Sequence, residues 1–360
     1  MKKIAILLFF IFSATACYDY KELNNLAIIS GIALDYNDNQ YEIMFEILND
    51  DKVSEDLENK NKTYYVSGKG NTMTDAFNNA GLEINKVPYY SHIQTMIISK
   101  EVAENHSSDF IDFFVRNSYI TNMFYMVIAK DTDASTILQS TSTENRIVSE
   151  SIYTLIDNKD LGNSLSIKVN MEYYTSLFAN PMQDIYLPTV AVEDDILKLR
   201  GIAIFNQTKM KEILDFNQSQ TLNILFNENK NAYYQVKCDD NKYTIIDVYK
   251  QKISFDVTKH KVKVNLDLMA KIEENQCNYN LKDQSTYKKL QKQFNKVVDD
   301  DVLNLFSLLK ENNADVLGIN YMYYKDHNDT LKFNKLNFEV NTNISVNKNG
   351  LIFEVNHDNK

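Results

Sequence analysis

The stretch that decides the fold of the amino-terminal half is residues 26–48, LAIISGIALDYNDNQYEIMFEIL. Residues 26–35 and 41–48 are rich in the aliphatic and aromatic side chains that favour strands, and the segment between them, YNDNQ, has the composition of a turn. Two such runs joined by a short polar segment predict an antiparallel β-hairpin. The polar residues 49–62 that follow show no periodicity and predict an exposed loop before a short strand at 63–67.

Strands and helices alternate after the hairpin. Residues 72–84 predict a helix with Thr72 as its N-cap. Phe110, Phe113 and Phe114 form the apolar stripe of a second helix, since their spacing places them on one face. Further elements are predicted as strands at 92–98 and 123–129 and as helices at 134–138, 146–156 and 167–177.

The pattern changes near Pro181 and Pro188, and a boundary is predicted at residues 194–198. A long helix is predicted at 286–312, where apolar side chains recur about every 3.6 residues: Leu290, Phe294, Val297, Val298, Leu305, Phe306 and Leu309. Predicted around it are a short helix at 219–226 and strands at 199–206, 233–237, 243–249, 253–257, 262–272, 336–346 and 351–355.

These elements predict an α+β fold of mixed, mostly antiparallel sheets with helices packed on them. The length of the chain favours two main domains, residues 17–196 and 197–360, the second carrying the long helix on a sheet. The amino-terminal domain is expected to form either one unit or two subdomains.

The first residues have the pattern of an export signal. Lys2 and Lys3 precede an uninterrupted apolar run at 4–12, and small residues at 13–16 lead to Cys17. The run is about half the roughly 20 residues that a membrane-spanning helix needs, which favours cleavage. The position of Cys17 predicts a lipoprotein signal at 1–16 and lipidation of Cys17, which becomes the first mature residue. The alternatives are an ordinary signal with a coincidental cysteine, or an uncleaved segment.

The charge of the chain limits the classes of partner that it can bind, and its cysteine content leaves one disulfide open. The formal net charge is −11, and it becomes about −13 when Lys2 and Lys3 are lost with the signal. An acidic chain without a basic block does not favour nucleic acid or anionic lipid headgroups, so we expect protein partners. Cys238 and Cys277 form either a disulfide or two free thiols, and the sequence has no C-x-x-C.

No sequence pattern for catalysis or cofactor binding is found. G-x-S-x-G, H-E-x-x-H and G-x-x-x-x-G-K-[ST] are all missing, and Gly68-Lys69-Gly70 lacks the third glycine of a dinucleotide-binding turn. The acidic runs at 50–51, 193–195 and 299–301 lack the alternate spacing of a calcium loop. We therefore expect no enzyme activity, no metal and no cofactor, and binding or assembly as the role.

Two motifs follow the signal: Cys17-Tyr-Asp19-Tyr-Lys-Glu22-Leu, and Gly31-Ile-Ala-Leu-Asp35. They resemble the opening of the Ger(x)C family, the C subunits of spore germinant receptors, except that Tyr18 stands where the family typically has Trp. Further short matches follow in the order of the family: Gly68-x-Gly70, Ser91-His92, Phe110-x-x-Phe113-Phe114-Val-Arg116, Leu199-Arg-Gly201-Ile-Ala-Ile-Phe205 and Asp315-Val-Leu-Gly318.

The resemblance implies a non-enzymatic, lipid-anchored subunit of a germinant receptor. It implies assembly with integral membrane A and B subunits at the outer face of the spore inner membrane, and a requirement in nutrient-triggered germination. The residues it marks for structural or interface roles are Asp19, Glu22, Gly31, Asp35, Ser91, His92, Arg116 and Gly201. The glycines permit close backbone approach, while His92 and Arg116 serve either packing or a subunit contact.

Two other functions are weighed against this one. The first is a solute-binding lipoprotein that captures a small ligand itself, although the strand-rich second half does not repeat the first half, as the two lobes of such proteins usually do. The second is an extracytoplasmic hydrolase, for which the sequence offers no reactive residue.

Overall fold

The computed structural model describes residues 25–49, 62–140, 147–157, 164–227, 231–239, 241–281 and 283–347. The predicted hairpin is confirmed: strand β1, Leu26–Asn37, pairs antiparallel with β2, Gln40–Leu48. Its turn is tighter than predicted, because only Asp38 and Asn39 separate the strands, with φ of 52° and 60°. Positive φ at both positions matches the twist of the paired strands. Most of the loop predicted at 49–62, and the strand predicted at 351–355, lie outside the described residues.

The hairpin belongs to a nine-stranded mixed sheet, hereafter the first sheet. Its other strands are β3 Thr63–Gly70, β4 Val87–Tyr89, β5 Thr95–Ile98, β6 Tyr125–Ala129, β7 Tyr186–Glu193, β8 Ile196–Asn206 and β9 Lys209–Ile213. The order is β3-β2-β1-β5-β6-β7-β8-β9, and β4 pairs with the start of β1. The central strands β1, β5, β6 and β7 are parallel neighbours, whereas the outer pairs are antiparallel.

Helices cover both faces of the first sheet. They are α1 Met73–Leu82, α2 Lys100–Asn105, α3 Ser107–Arg116, α4 Ala134–Leu138, α5 Val148–Asp157 and α6 Met171–Phe178. Alternate side chains of a strand point to opposite faces. Ile32 and Leu34 therefore share a core with α1, α2 and α3, while Ala33 joins a separate core with α4 and α5. Covering on both faces explains why β1 is almost continuously buried and apolar.

The second sheet has four strands in the order β10-β11-β12-β13, and the long helix packs on it. The elements are α7 Phe216–Leu225, β10 Ala232–Asp239, β11 Lys242–Val257, β12 Lys261–Asn275, α8 Gln284–Glu311, α9 Ile319–His327 and β13 Asn337–Asn347. The predicted stripe of α8 is confirmed, since six of its seven side chains are buried and Val297 is half-buried. The last strand, β13, runs parallel to β12, and the other pairs are antiparallel.

The α+β class is confirmed, and antiparallel strand pairs outnumber parallel ones across the two sheets. Several local predictions were wrong. The two strands predicted at 243–249 and 253–257 are one strand, β11, whose pairing shifts register at two irregularities. The short elements α2, β9 and α9 were not predicted. The domain boundary predicted between residues 196 and 197 lies at the start of β8, and the first sheet continues across it because β7 and β8 pair. The division into 17–196 and 197–360 stays a prediction.

The cysteine pair that the sequence left open forms a disulfide. Cys238 at the end of β10 is bonded to Cys277, just after β12, with their Cα atoms 6.0 Å apart. The bond links two strands of the second sheet that are separated by β11.

Candidate functional site

A buried carboxylate at the end of β1 fixes the start of α4. The Asp35 carboxylate accepts hydrogen bonds from the backbone N–H groups of Ala134 (2.7 Å) and Ser135 (2.9 Å). These are the first helical residues, whose N–H groups have no partner inside the helix. Burial raises the pKa of the Asp35 carboxyl, and the hydrogen bonds from Ser135 and Ala134 oppose the shift. Asp35 therefore acts on the fold and is not exposed to a ligand.

A second carboxylate, on β2, does the same for α5. Glu46 is fully buried and accepts hydrogen bonds from the backbone N–H groups of Val148 (3.0 Å) and Ser149 (3.2 Å) and from the hydroxyls of Ser149 and Ser30. Burial raises its pKa, against the effect of these donors. Sequence reasoning missed Glu46. In the sequence Glu46 alternates with apolar residues as Glu42 does, which predicts a solvent-facing side chain, whereas the structure buries it opposite Gly31.

Gly31 is needed because α5 lies directly against β1. A Cβ atom at this position would lie 2.8 Å from the Ser149 Cβ and 3.0 Å from the Leu138 Cδ1, closer than real Cβ contacts allow in the first case. Gly31 and Asp35 are four residues apart on a strand, so they share a face. This face also carries Glu46, and the three residues together hold α4 and α5 on the sheet.

Gly201 in β8 has a backbone conformation that other residues rarely adopt, with φ of +141°. A Cβ there would lie 2.2 Å from the carbonyl oxygen of Leu214. The next N–H, of Ile202, donates to the hydroxyl of Ser219 on α7 (3.0 Å). The marked glycine therefore lets the chain after β9 cross closely over β8.

The motif Asp315-Val-Leu-Gly318 joins the two halves of the molecule. The Asp315 carboxylate accepts from the N–H groups of Ile319 (2.8 Å) and Asn320 (2.7 Å), which begin α9. Its own N–H donates to Asp184 in the segment before β7 (2.6 Å). Burial raises the pKa of the Asp315 carboxyl to about 7, against the effect of the donating N–H groups. Gly318, with φ of +68°, lies against Gln183 of the same segment.

A polar cleft of about 290 Å³ opens beside this junction. Its lining is rich in carboxamides and includes both junction carboxylates and one lysine: Gln183, Asp184, Asn206, Gln207, Asn313, Asp315, Asn320, Lys332 and Asn334. Its size and lining suit a small polar solute. The Asp184 carboxylate also accepts from Gln207 (2.5 Å), so both junction carboxylates already hold backbone of their own chain. Within the described residues, no group of His, Cys, Asp or Glu is arranged to hold a metal ion.

Three marked residues lie at another place, the amino end of the central strands. Ser91 and His92 form part of a short 3-10 helix between β4 and β5, and both are exposed. Arg116 ends α3, is exposed, and pairs with Asp112 one turn earlier (2.8 Å). The structure thus separates the marked residues into a buried group and an exposed group. Cys17, Asp19 and Glu22 lie outside the described residues.

Known protein families match both parts of the chain. Residues 19–192 match the spore germination protein N-terminal domain, and residues 200–352 match the C-terminal domain of spore germination B3/GerAC-like proteins. Together the two matches cover nearly all of the chain that follows Cys17. The chain therefore belongs to the GerAC-like family of spore germination proteins.

Particular relatives are similar along most of their length. Spore germination protein KC of Bacillus subtilis is 22% identical over 349 residues, which cover 86% of this chain and 84% of that protein. Spore germination protein GerQC of Bacillus cereus is 21% identical and is covered to 84%. The crystal structure of the GerBC protein has the same fold, with a TM-score of 0.57 at 15% identity over 91% of this chain and 99% of that one. Among the described residues, no helix is both long and apolar enough to cross a bilayer.

Proposed function

We propose that this chain is the lipid-anchored, non-catalytic C subunit of a spore germinant receptor. A diacylglycerol on Cys17 holds it at the outer face of the spore inner membrane, where it assembles with integral membrane A and B subunits and is required for nutrient-triggered germination. The observation that carries the proposal is the order of features: the sequence pattern of an export signal at residues 1–16, directly before Cys17, followed by both domains of the spore germination family within residues 19–352.

The arrangement of the marked residues supports this role. Gly31, Asp35 and Gly201 are used inside the fold, where they hold helices and crossing chain segments on the first sheet. Ser91, His92 and Arg116 are exposed at one end of that sheet, which suits contact with another subunit. In the described part of the chain the buried carboxylates of Asp35, Glu46 and Asp315 hold backbone N–H groups, and that of Asp247 pairs with Lys271. None of these four is paired with a nucleophile and a base as a catalytic centre requires.

Replacement of the lipidated residue tests the proposal most directly. In spores that carry Cys17→Ala, we expect the protein to leave the membrane fraction and nutrient-triggered germination to be lost or strongly slowed. Two acyl chains hold a protein stably at a bilayer, and the Cys17→Ala variant has no thiol to carry them. Overproduction of the Cys17→Ala form should restore germination in part, since the tether concentrates the subunit near its partners. Normal membrane retention and germination of this variant would contradict the proposal.

Assembly is tested separately by purification from detergent-solubilised spore membranes. An affinity tag placed after Lys360 should recover two integral membrane proteins with this chain. Recovery of the chain alone, under conditions that keep other membrane complexes intact, would argue against a receptor subunit.

The polar cleft favours one second candidate, direct capture of a small polar solute. A thermal-shift screen of the unlipidated chain with amino acids and sugars distinguishes this role from assembly. A rise of several degrees with one solute would favour capture if Lys332→Glu, which reverses the charge of the lining lysine, abolishes it. No shift with any solute would leave assembly as the function.

A further inference from the structure

The parallel arrangement of the central strands brings several chain segments to one end of the first sheet. β1, β5 and β6 are parallel neighbours, and Gly31, Thr95 and Tyr125 are level with one another. The three strands therefore begin at the same end of the sheet, with β1 starting five residues further out, at Leu26. The segments that lead into these strands therefore gather there too. They are the end of α1 with β4 and the 3-10 helix, and the end of α3 with residues 117–124.

This end carries a set of large apolar side chains that the fold leaves exposed. We call it the amino-end patch, and it consists of Leu82, Val87, Tyr89, Val115, Tyr119 and Met123. The exposed fraction runs from 41% for Tyr89 to 82% for Leu82. Clustered apolar surface of this kind marks an interaction site more often than scattered exposed residues do.

Two contacts hold these segments next to one another. Val87 pairs with Leu26, and the Tyr119 ring lies 5.6 Å from the ring of Tyr90, which directly follows Tyr89. Residues 117–124, NSYITNMF, include no charged side chain. Ion pairs lie at both ends of the sheet, with Arg116 paired with Asp112 at this end and Lys100 paired with Glu104 at the other.

The covalent chain fixes what lies near this end. Leu26 follows Cys17 by nine residues, and an extended chain spans at most about 3.6 Å per residue. Leu26 and the strand paired with it therefore lie within about 32 Å of Cys17. If Cys17 carries lipid, as in the proposed function on which this inference rests, the tether keeps the bilayer surface within reach of the patch.

We infer that the amino-end patch is a membrane-docking surface, which lays its aliphatic and tyrosine side chains on the lipid bilayer beside the Cys17 anchor. Tyrosine suits this position because its ring is apolar and its hydroxyl reaches the headgroups. The docking depends on apolar burial and not on charge, so it does not need the anionic lipids that the acidic chain would repel. It orients the rest of the molecule away from the membrane.

The absence of tryptophan from the sequence allows a direct test. Single Met123→Trp and Thr132→Trp chains place an indole just before and just after β6, at exposed positions on opposite ends of the first sheet. Each chain, starting at Cys17, is coupled through the Cys17 thiol to a maleimide lipid in phosphatidylcholine vesicles. The Cys238–Cys277 disulfide leaves Cys17 as the free thiol for coupling.

Docking predicts that the Met123→Trp indole emits at shorter wavelength on coupling and loses roughly twofold in intensity when the lipids are brominated, because interfacial side chains reach about 5–10 Å into the headgroup region. The Thr132→Trp indole should show neither change. Val87→Asp added to the Met123→Trp chain should remove the quenching while flotation with the vesicles and the thermal midpoint stay unchanged. Equal emission from the two indoles in vesicles would overturn the inference and leave the patch to a protein partner.

The outcome is separable from that of the proposed function. Chemical coupling supplies the tether whether or not the cell lipidates Cys17, so failure of the Cys17→Ala experiment in spores does not affect the fluorescence result. Conversely, absence of quenching in coupled chains overturns docking without bearing on lipidation.

Discussion

The helix α8 is held on the second sheet by apolar side chains, whereas the starts of α4 and α5 are held on the first sheet by buried carboxylates. Leu290, Phe294 and Val298 of α8 lie in one buried core with alternate residues of β12, and a polar rim along β13 includes the bond from the N–H of Ile344 to Asn295 (3.0 Å). On the first sheet, Asp35 and Glu46 instead accept from the first N–H groups of two helices.

The difference shows in how each interface responds to change. Apolar contacts are numerous and individually weak. Substitutions between α8 and the second sheet should therefore lower the free energy of unfolding in proportion to the side-chain volume removed. Between the first sheet and α5, several hydrogen-bond donors share one acceptor, the Glu46 carboxylate. Removal of this acceptor leaves buried donors unsatisfied at once. Single-residue substitutions in the two sheets should therefore differ in their pattern as well as in size.

Glu46→Ala should have the largest effect, a loss of about 5 kcal/mol in the free energy of unfolding of the unlipidated chain. It leaves the N–H groups of Val148 and Ser149 and the Ser149 hydroxyl without their acceptor, at about 1–3 kcal/mol for each unsatisfied group. The Ser30 hydroxyl keeps the backbone carbonyl of residue 46 as its acceptor. Urea denaturation measures it. The matched control is Glu42→Ala on the same strand, which removes only a surface ion pair to Lys69 and should cost less than about 1 kcal/mol. Similar losses for both variants would contradict the role given to Glu46.

Phe294→Ala should cost about 4 kcal/mol, the usual cost of deleting a fully buried ring. Its neighbour Asn295 makes the rim contact, and Asn295→Ala should cost only about 1 kcal/mol. If the polar rim held α8 as the carboxylates hold α5, the order of these two losses in urea denaturation would be reversed.

The same contrast explains how much could be predicted from the sequence. The long helix, its buried stripe and the alternation along β12 follow from hydrophobic periodicity, because these contacts repeat with the period of each element. Glu46 follows the polar side of its strand's alternation and looks solvent-facing, while the helix that buries it, with the N–H groups of Val148 and Ser149, lies more than a hundred residues away in sequence. Asp35 and Gly31 could be marked by family resemblance, but the helices that they hold could not be inferred from that resemblance.

The short elements were missed for a related reason. α2 and β9 have six and five residues, too few for a periodic signal, and they form because neighbouring chain packs on them. The fusion of two predicted strands into β11 depends on irregularities in its pairing with β12, which no local pattern specifies. The exposed end of the first sheet was unforeseen because its members come from separate segments that only the strand order brings together.

Between the two sheets, Asp315 should make stability depend on pH. Its folded pKa, about 7, is higher than its usual value of 3.8, so protonation favours the folded chain. This contribution is fully present below about pH 4 and is lost as the pH rises through about 7. The shift corresponds to about 3 kcal/mol once some water access to the carboxylate is allowed for.

The measurement is the free energy of unfolding at several pH values, compared with that of Asp315→Asn. The amide keeps an acceptor for α9 but does not titrate, so the natural chain should lose more stability than the variant between about pH 4 and 7.5. Parallel pH profiles for the two chains would show that the junction does not hold a titrating carboxyl.

Gly31→Ala should have the smallest effect of the series, a loss of about 2 kcal/mol, because a Cβ at 2.8 Å from Ser149 forces α5 away from β1. Gly81→Ala in α1 is the control: its added methyl meets nothing within 4 Å, and alanine in a helix should stabilise the chain by about 0.5–1 kcal/mol. In the Gly31→Ala chain the displaced helix also lengthens the bonds to Glu46, so Glu46→Ala should cost less there than in the natural chain. Additive losses in this double-mutant cycle would mean that the glycine and the carboxylate hold α5 independently.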